Sequence, residues 1–210
     1  MIRVLIADDH AILRRGLREI LTRELQGVVC GEAESAQQVL AQVQGQNWDL
    51  VILDITMPGR SGVDVLKDLK RMQPRLPVLV LSMHPEGQYG KRVLKAGAHG
   101  YLNKESAPEE LIRAIRKLLD GGRYVSPALA ERLALELGAS AERASHEILS
   151  DREFEVLRMI GLGKTVSQIA EELHLSVTTV STYRVRILEK MNMKTTAELM
   201  HYALQNRLVE

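Results

Sequence analysis

The first 120 residues alternate short apolar runs with longer amphipathic stretches. Residues 2–7, 28–32, 50–53, 78–81 and 100–102 are too short for independent helices and almost wholly apolar, the pattern of strands buried on both faces. Between them, apolar residues recur at helical spacing over 12–25, 36–43, 63–72, 89–96 and 111–119. Strands that alternate with helices predict an α/β fold: a doubly wound parallel sheet of five βα units, (βα)5. The pattern breaks at Asp120-Gly121-Gly122-Arg123-Tyr124, and Ser126-Pro127 opens a short helix over about 128–137. Residues 138–145 are small and polar without an apolar period, which predicts a linker.

From Leu149 onward no strand-like run occurs. Ser150 and Glu153 have capping-box spacing ahead of Phe154, Val156, Leu157 and Ile160. Further helices are predicted over about 166–173, 177–191 and 196–205, with a turn at His174-Leu175-Ser176. The expected organisation is an α/β domain over 1–120, a linker with a short helix over 121–146, and a small all-α helix-turn-helix domain over 147–210.

Composition narrows the function classes. At 45% apolar the chain can build a core in each of two domains. Twenty-eight Lys and Arg against 27 Asp and Glu create no global field toward nucleic acid or membrane. Cys30, the single cysteine, cannot form an internal disulfide, which fits a reducing compartment. No apolar run approaches the roughly 18 residues of a membrane span, and Asp8-Asp9 come too early for a signal-peptide core. Seven aromatics make a base-stacking platform for single strands a poor fit. A cytoplasmic protein without a membrane partner is expected.

Ligands of an open parallel sheet bind beyond the carboxyl ends of its strands. The polar residues there are Asp8 and Asp9, Asp54 and Thr56, Ser82, and Lys104. Taken singly each has an ordinary explanation: a carboxylate pair at a helix start, a turn residue before Met57-Pro58-Gly59, a strand-end hydroxyl, a solvated lysine. Together, on four strand ends, they describe one acidic pocket. Converging carboxylates repel unless cations neutralise them. Lys104 supplies one charge and a hard divalent ion, Mg²⁺, two more, leaving a neutral site in which an Asp carboxylate can act as a nucleophile toward phosphorus.

Asp8-Asp9, Asp54 with Met57-Pro58-Gly59 and Gly62, Ser82, and Tyr101 with Lys104 resemble the receiver domain of bacterial two-component response regulators, a flavodoxin-like fold. The resemblance implies that Asp54 accepts a phosphoryl group from a partner histidine kinase. It also implies that Asp9, Asp54 and the Thr56 carbonyl bind Mg²⁺, with Asp8 acting through water. Ser82 would donate to the phosphoryl group, Lys104 would pair with it, and Tyr101 would swing inward as Ser82 moves. The responsive face would be the fourth helix, fifth strand and fifth helix, with Gly87 and Gly90 easing deformation of that helix. Glu105 follows the lysine where many receivers have Pro, so no cis peptide is expected there.

The helical domain has a net charge of −1 over 147–210, yet Arg184, Arg186, Lys190 and Lys194 face only Glu189 over 176–194. The turn at His174-Leu175-Ser176 has helix-turn-helix spacing, whose second helix enters the major groove. Thr178, Ser181, Thr182, Arg184 and Val185 fall toward its exposed side; Val177, Val180, Ile187, Leu188 and Met191 fit its packed side. Leu149-Ser150-Asp151-Arg152-Glu153, Ile169-Ala170-Glu171, Thr179-Val180 and Ala197-Glu198-Leu199 resemble the LuxR-type DNA-binding domain. Joined to a receiver, the whole resembles the NarL/FixJ class of response regulators. That implies contacts to double-stranded DNA from Thr178, Thr179, Ser181, Thr182, Arg184 and Val185. It also implies homodimerisation on activation through Leu199, Met200 and Ala203, and a two-fold symmetric site. Ser181 stands where the commonest pattern has a lysine, so base preferences do not carry over.

The expected function is a transcription regulator switched by phosphorylation of Asp54, not an enzyme in the ordinary sense, with 121–145 coupling the domains. Two other classes compete. A haloacid-dehalogenase-type phosphohydrolase needs Asp-x-Asp, and the run here is Asp54-Ile55-Thr56. A receiver-controlled adaptor acting through protein contacts without DNA fits the −1 balance of the helical domain.

Overall fold

The computed structural model of the chain describes residues 1–57, 60–138 and 145–209. They form two compact units, Met1–Gly138 and Ala139–Glu210. In the first, strands β1 (Ile2–Ala7), β2 (Val28–Ala33), β3 (Leu50–Asp54), β4 (Val78–Ser82) and β5 (Gly100–Asn103) alternate with helices α1 (Ala11–Glu24), α2 (Ala36–Gly45), α3 (Gly62–Met72), α4 (Glu86–Lys95) and α5 (Pro108–Leu119). All pairings are parallel, in the order β2-β1-β3-β4-β5. Val4, Ile6, Leu50, Ile52, Leu79 and Leu81 pack on one face against Leu17 and Leu21 of α1 and Leu111, Ile115 and Leu118 of α5. The alternate residues Leu5, Val51, Leu53 and Val80 point to the other face and are also buried. Burial on both faces is why these strands lack polar alternation.

Strand ends extend one residue beyond the apolar runs at β2 to β5, since Ala33, Asp54, Ser82 and Asn103 still sit in the ladders. Helix α4 begins three residues before the expected 89. Its first turn, Glu86-Gly87-Gln88, carries no apolar residue to reveal a period. A sixth helix, α6 (Pro127–Gly138), belongs to the first compact unit rather than to a free linker. The polar linker expected over 138–145 falls, apart from its two end residues, outside the described residues.

The second unit holds a 3-10 turn (Ser145–Ile148), α7 (Asp151–Gly161), α8 (Val166–Glu172), α9 (Val177–Met191) and α10 (Thr196–Gln205). Helix starts are set by side-chain caps: Ser150 with Glu153 and Thr165 with Gln168 form reciprocal capping boxes, and Ser176 and Thr195 cap α9 and α10. Phe154, Val156, Leu157 and Ile160 of α7 build the core with Val180, Ile187 and Met191 of α9 and Leu199 and Ala203 of α10.

One ion pair fastens α9 to α7. Glu153 is buried, which favours its neutral form; Lys190 Nζ at 2.6 Å and the Ser150 N–H outweigh that and hold the carboxyl below its ordinary value. A depressed carboxyl stabilises the fold above about pH 4.5 and loses that contribution as pH falls and Glu153 protonates. Lys190→Met is therefore expected to lower unfolding stability by about 1 kcal/mol at neutral pH. Urea titrations should show the gap to wild type closing in acid; an equal gap at both pH values contradicts this account.

Candidate functional site

The strand order reverses between β1 and β3, so the crevice lies at their carboxyl ends. Asp8 and Asp9 follow β1, Asp54 ends β3, Ser82 ends β4 and Lys104 follows β5. Lys104 Nζ lies 2.6 Å from Asp8 Oδ2 and 2.7 Å from Asp54 Oδ2, with all three side chains withdrawn from water. Burial opposes the ammonium charge, but the Asp54 and Asp8 carboxylates outweigh it and raise the lysine pKa. Asp54 Oδ1 accepts from the Thr56 N–H at 2.9 Å and hydroxyl at 2.6 Å. The Thr56 hydroxyl thus orients the carboxylate, a part the sequence did not indicate.

Ser82 is buried, and its Oγ accepts from the His84 N–H at 3.1 Å. Tyr101 is buried, its hydroxyl donating to the His84 carbonyl at 2.6 Å, while the His84 ring stacks on Tyr89 at 4.8 Å. His84 therefore joins the strand-end serine to both tyrosines. Lys104 and Glu105 are joined by a trans bond. Pro58 and Gly59 lie outside the described residues. Gly62 has a steric reason: a Cβ there would stand 2.3 Å from Ile55 Cα, where α3 begins against the turn after Asp54.

The donor set fits a hard divalent cation. Asp9 Oδ1 is buried and faces the His10 ring nitrogen at 3.0 Å without a well-formed hydrogen bond. One ligand atom each from Asp8, Asp9, His10 and Asp54 falls within 4.8 Å of the others. Carboxylate oxygens at that spacing suit Mg²⁺.

On the helical domain, Thr178, Thr182 and Val185 are exposed on α9, with Thr179, Ser181 and Arg184 half-buried. The Thr179 hydroxyl is 2.7 Å from the Ser176 cap, and Thr182 donates to the Thr178 carbonyl. None of the ion pairs among the described residues uses Arg184 or Arg186, whereas Lys190 is held by Glu153. Val177, expected on the packed side, is exposed because it lies in the first turn, ahead of the contact with α7. The dimerisation assignment needs a larger correction. Leu199 and Ala203 are fully buried in the domain's own core and cannot meet a second copy. Ala203 packs where α10 crosses Gly161 of α7. Met200 is half-buried and Leu204 exposed on the same helix.

A family model of the response regulator receiver domain matches residues 4–116, and one of bacterial regulatory proteins of the luxR family matches residues 147–203. The chain belongs to the response regulators. This response regulator is 35% identical over 210 residues to the response regulator UvrY of Escherichia coli strain K12, across 99% of this chain and 96% of the relative. It is 35% identical over 212 residues to the response regulator GacA of Pseudomonas aeruginosa, across 100% and 99% of the two chains. Among solved structures, RcsB from Salmonella enterica serovar Typhimurium, bound to a promoter in the presence of a phosphomimetic, matches with a TM-score of 0.64 and 29% identity, over 96% of this chain and 98% of that one. A receiver followed by a LuxR-type domain makes this response regulator a phosphorylation-controlled, DNA-binding transcription regulator of the NarL/FixJ class. No helix among its described residues is long and apolar enough to cross a membrane.

Two features of the response regulator's first unit escaped the sequence reading. Arg14 is buried, donating to the Asp8 carbonyl at 2.7 Å and to Glu32 at 3.1 Å, which fixes the turn carrying the acidic pair. Its signal was a charge inside the buried stripe of α1 that continues through Leu17 and Leu21. Gly87 and Gly90, expected from the sequence to ease deformation of α4, admit α6. A Cβ on Gly90 would fall 2.6 Å from Leu129 Cδ2, and one on Gly87 would fall 1.6 Å from Arg132 Nη1. Ser126 anchors the contact, its Oγ accepting from the Leu129 N–H and donating to Glu86.

Proposed function

We propose that Asp54 is the phosphoacceptor of this response regulator and that a sensor histidine kinase is its donor. The observation that carries this is the Lys104 ammonium bridging Asp8 and Asp54 at the strand ends. An Asp54 carboxylate oxygen forms a bond to phosphorus as the P–N bond of the donor phosphohistidine breaks, and the imidazole leaves with the bonding electron pair. Asp8, Asp9, Asp54 and Thr56 would hold Mg²⁺, which supplies charge neutralisation on the phosphoryl oxygens. Thr56 orients the nucleophile, Lys104 moves from the carboxylate to a phosphoryl oxygen, and Ser82 donates to another.

Regulation follows from what those movements disturb. Ser82 holds the His84 N–H, His84 holds Tyr101 and stacks on Tyr89, and α4 carries α6 through Leu129 and Ser126. A phosphoryl group that draws Ser82 away biases this chain, and the segment from 121 passes the change toward the helical domain. Leu129→Ala leaves Ser126 in place but removes the apolar contact on α4. The expected result is that phosphodonor still labels the protein while the ratio of DNA affinities with and without donor falls at least about fivefold. An unchanged ratio would remove α6 from the coupling.

On DNA, Thr178, Ser181, Thr182, Arg184 and Val185 are the contacts we assign, with Met200 and Leu204 toward a second copy on a two-fold site. Arg184→Ala is expected to weaken binding on all duplexes alike and to flatten the slope of log affinity against log salt by about one unit. A loss confined to certain sequences, with the slope intact, would assign Arg184 to base readout. The overall reading is tested by recovering duplex fragments from a genomic pool at one salt concentration, with and without Mg²⁺ and a small phosphodonor. Selective recovery with donor supports it; no specific recovery under any condition favours the adaptor.

A further inference from the structure

We infer that His10 is a further ligand in the acidic pocket and gives its cation site a preference for first-row transition ions beyond what three carboxylates confer. The inference rests on the reading of Asp8, Asp9 and Asp54 as a cation site. His10 occupies the N-cap of α1, yet its side chain caps nothing. Its ring is instead turned onto the carboxylates: Nδ1 lies 3.1 Å from Asp8 Oδ1 and 3.0 Å from Asp9 Oδ1. The His10 N–H also donates to Asp8 Oδ1, at 2.8 Å, so main chain and ring meet the same carboxylate oxygen. The His10 side chain is 68% exposed, so its contacts with the two carboxylates, and not burial of apolar surface, place the ring.

The spacing suits one ion. Ligand atoms of Asp8, Asp9, His10 and Asp54 lie within 4.8 Å of one another, and opposite ligands of a small divalent cation stand about 4.2 Å apart. Asp9 Oδ1, buried and met by the His10 ring nitrogen at 3.0 Å, is an oxygen such an ion would share with that nitrogen. Mg²⁺ takes oxygen donors and keeps its waters, so it gains little from an imidazole at the rim of the pocket. Ni²⁺, and to a smaller degree Mn²⁺, bind nitrogen more strongly along the divalent series. His10 therefore separates these ions where Asp8, Asp9 and Asp54 alone would order them by charge and size.

The test is calorimetric titration of the full chain with MgCl₂, MnCl₂ or NiCl₂ at one fixed pH, for wild type, His10→Gln and Asp9→Asn. Loss of the imidazole is expected to weaken Ni²⁺ by about tenfold or more while Mg²⁺ changes by less than about twofold. Pulsed EPR of the Mn²⁺ complex should show ¹⁴N modulation in wild type that His10→Gln removes, a readout that needs no phosphorylation. Equal effects on Ni²⁺ and Mg²⁺, or ¹⁴N modulation that persists in His10→Gln, would overturn the role of His10. If Asp9→Asn leaves Mg²⁺ and Ni²⁺ binding intact, the cation-site reading itself fails.

Discussion

Asp54→Asn should take up no phosphoryl group from a small donor, and its affinity for duplex DNA should be the same with and without that donor. Wild type, by contrast, is expected to gain about 5- to 150-fold in affinity, the usual range for coupling between two sites. The substitution is chosen for its shape. A carboxamide oxygen can still accept from the Thr56 N–H and hydroxyl, the two groups that hold Asp54 Oδ1, so local folding is retained. It removes the anionic oxygen that faces Lys104 and that, in the proposed function, attacks phosphorus. Intact-mass measurement after donor treatment gives the first readout and DNA binding at one salt concentration the second. A phosphorylated Asp54→Asn protein would move the acceptor elsewhere; an unphosphorylated variant that still responds to donor would disconnect the pocket from DNA.

Lys104→Met carries the second large effect, with opposite consequences for two measurements. The side chain is 6% exposed and touches two buried carboxylates, so removing the ammonium leaves Asp8 and Asp54 close together with no compensating charge. Breaking a buried charge group in this way costs about 3–5 kcal/mol, and denaturant titration without metal should show it. Divalent cation should then restore more stability to the variant than it adds to wild type, because the ion supplies the charge the lysine supplied. Function should not return with stability. The phosphoryl oxygens would lack the cation that follows them, and the donor-dependent gain in DNA affinity should be lost even when Mg²⁺ saturates the site. Rescue of both by Mg²⁺ would reduce Lys104 to a structural counter-ion.

The pocket was legible in the sequence because a parallel sheet collects its strand ends on one edge. Once five apolar runs are recognised as strands, Asp8, Asp9, Asp54, Ser82 and Lys104 must meet there. Helices α9 and α10 were legible from apolar residues recurring at helical spacing; their caps, Ser176 and Thr195, came from the structure. What each residue does within those elements was less visible. Thr56, His10 and Arg14 act on the pocket through hydrogen bonds whose partners the turn geometry selects, and spacing does not encode which way a turn points its side chains.

Apolar spacing likewise marks a helix face without saying what covers it. Leu199 and Ala203 lie on the same helix as Met200 and Leu204, and only the packing of α10 on α7, with Ala203 against Gly161, turns the first pair into core. Gly87 and Gly90 read as loose points in α4 until Leu129 and Arg132 are found against them. The sequence by itself determined the order of elements, the two domains' fold classes and the acidic set, since these follow from local periodicity and from the topology of parallel strands. The tertiary structure alone decided which carboxylates share Lys104, which face of α10 is buried and where α6 rests, because these depend on packing between segments far apart in the chain.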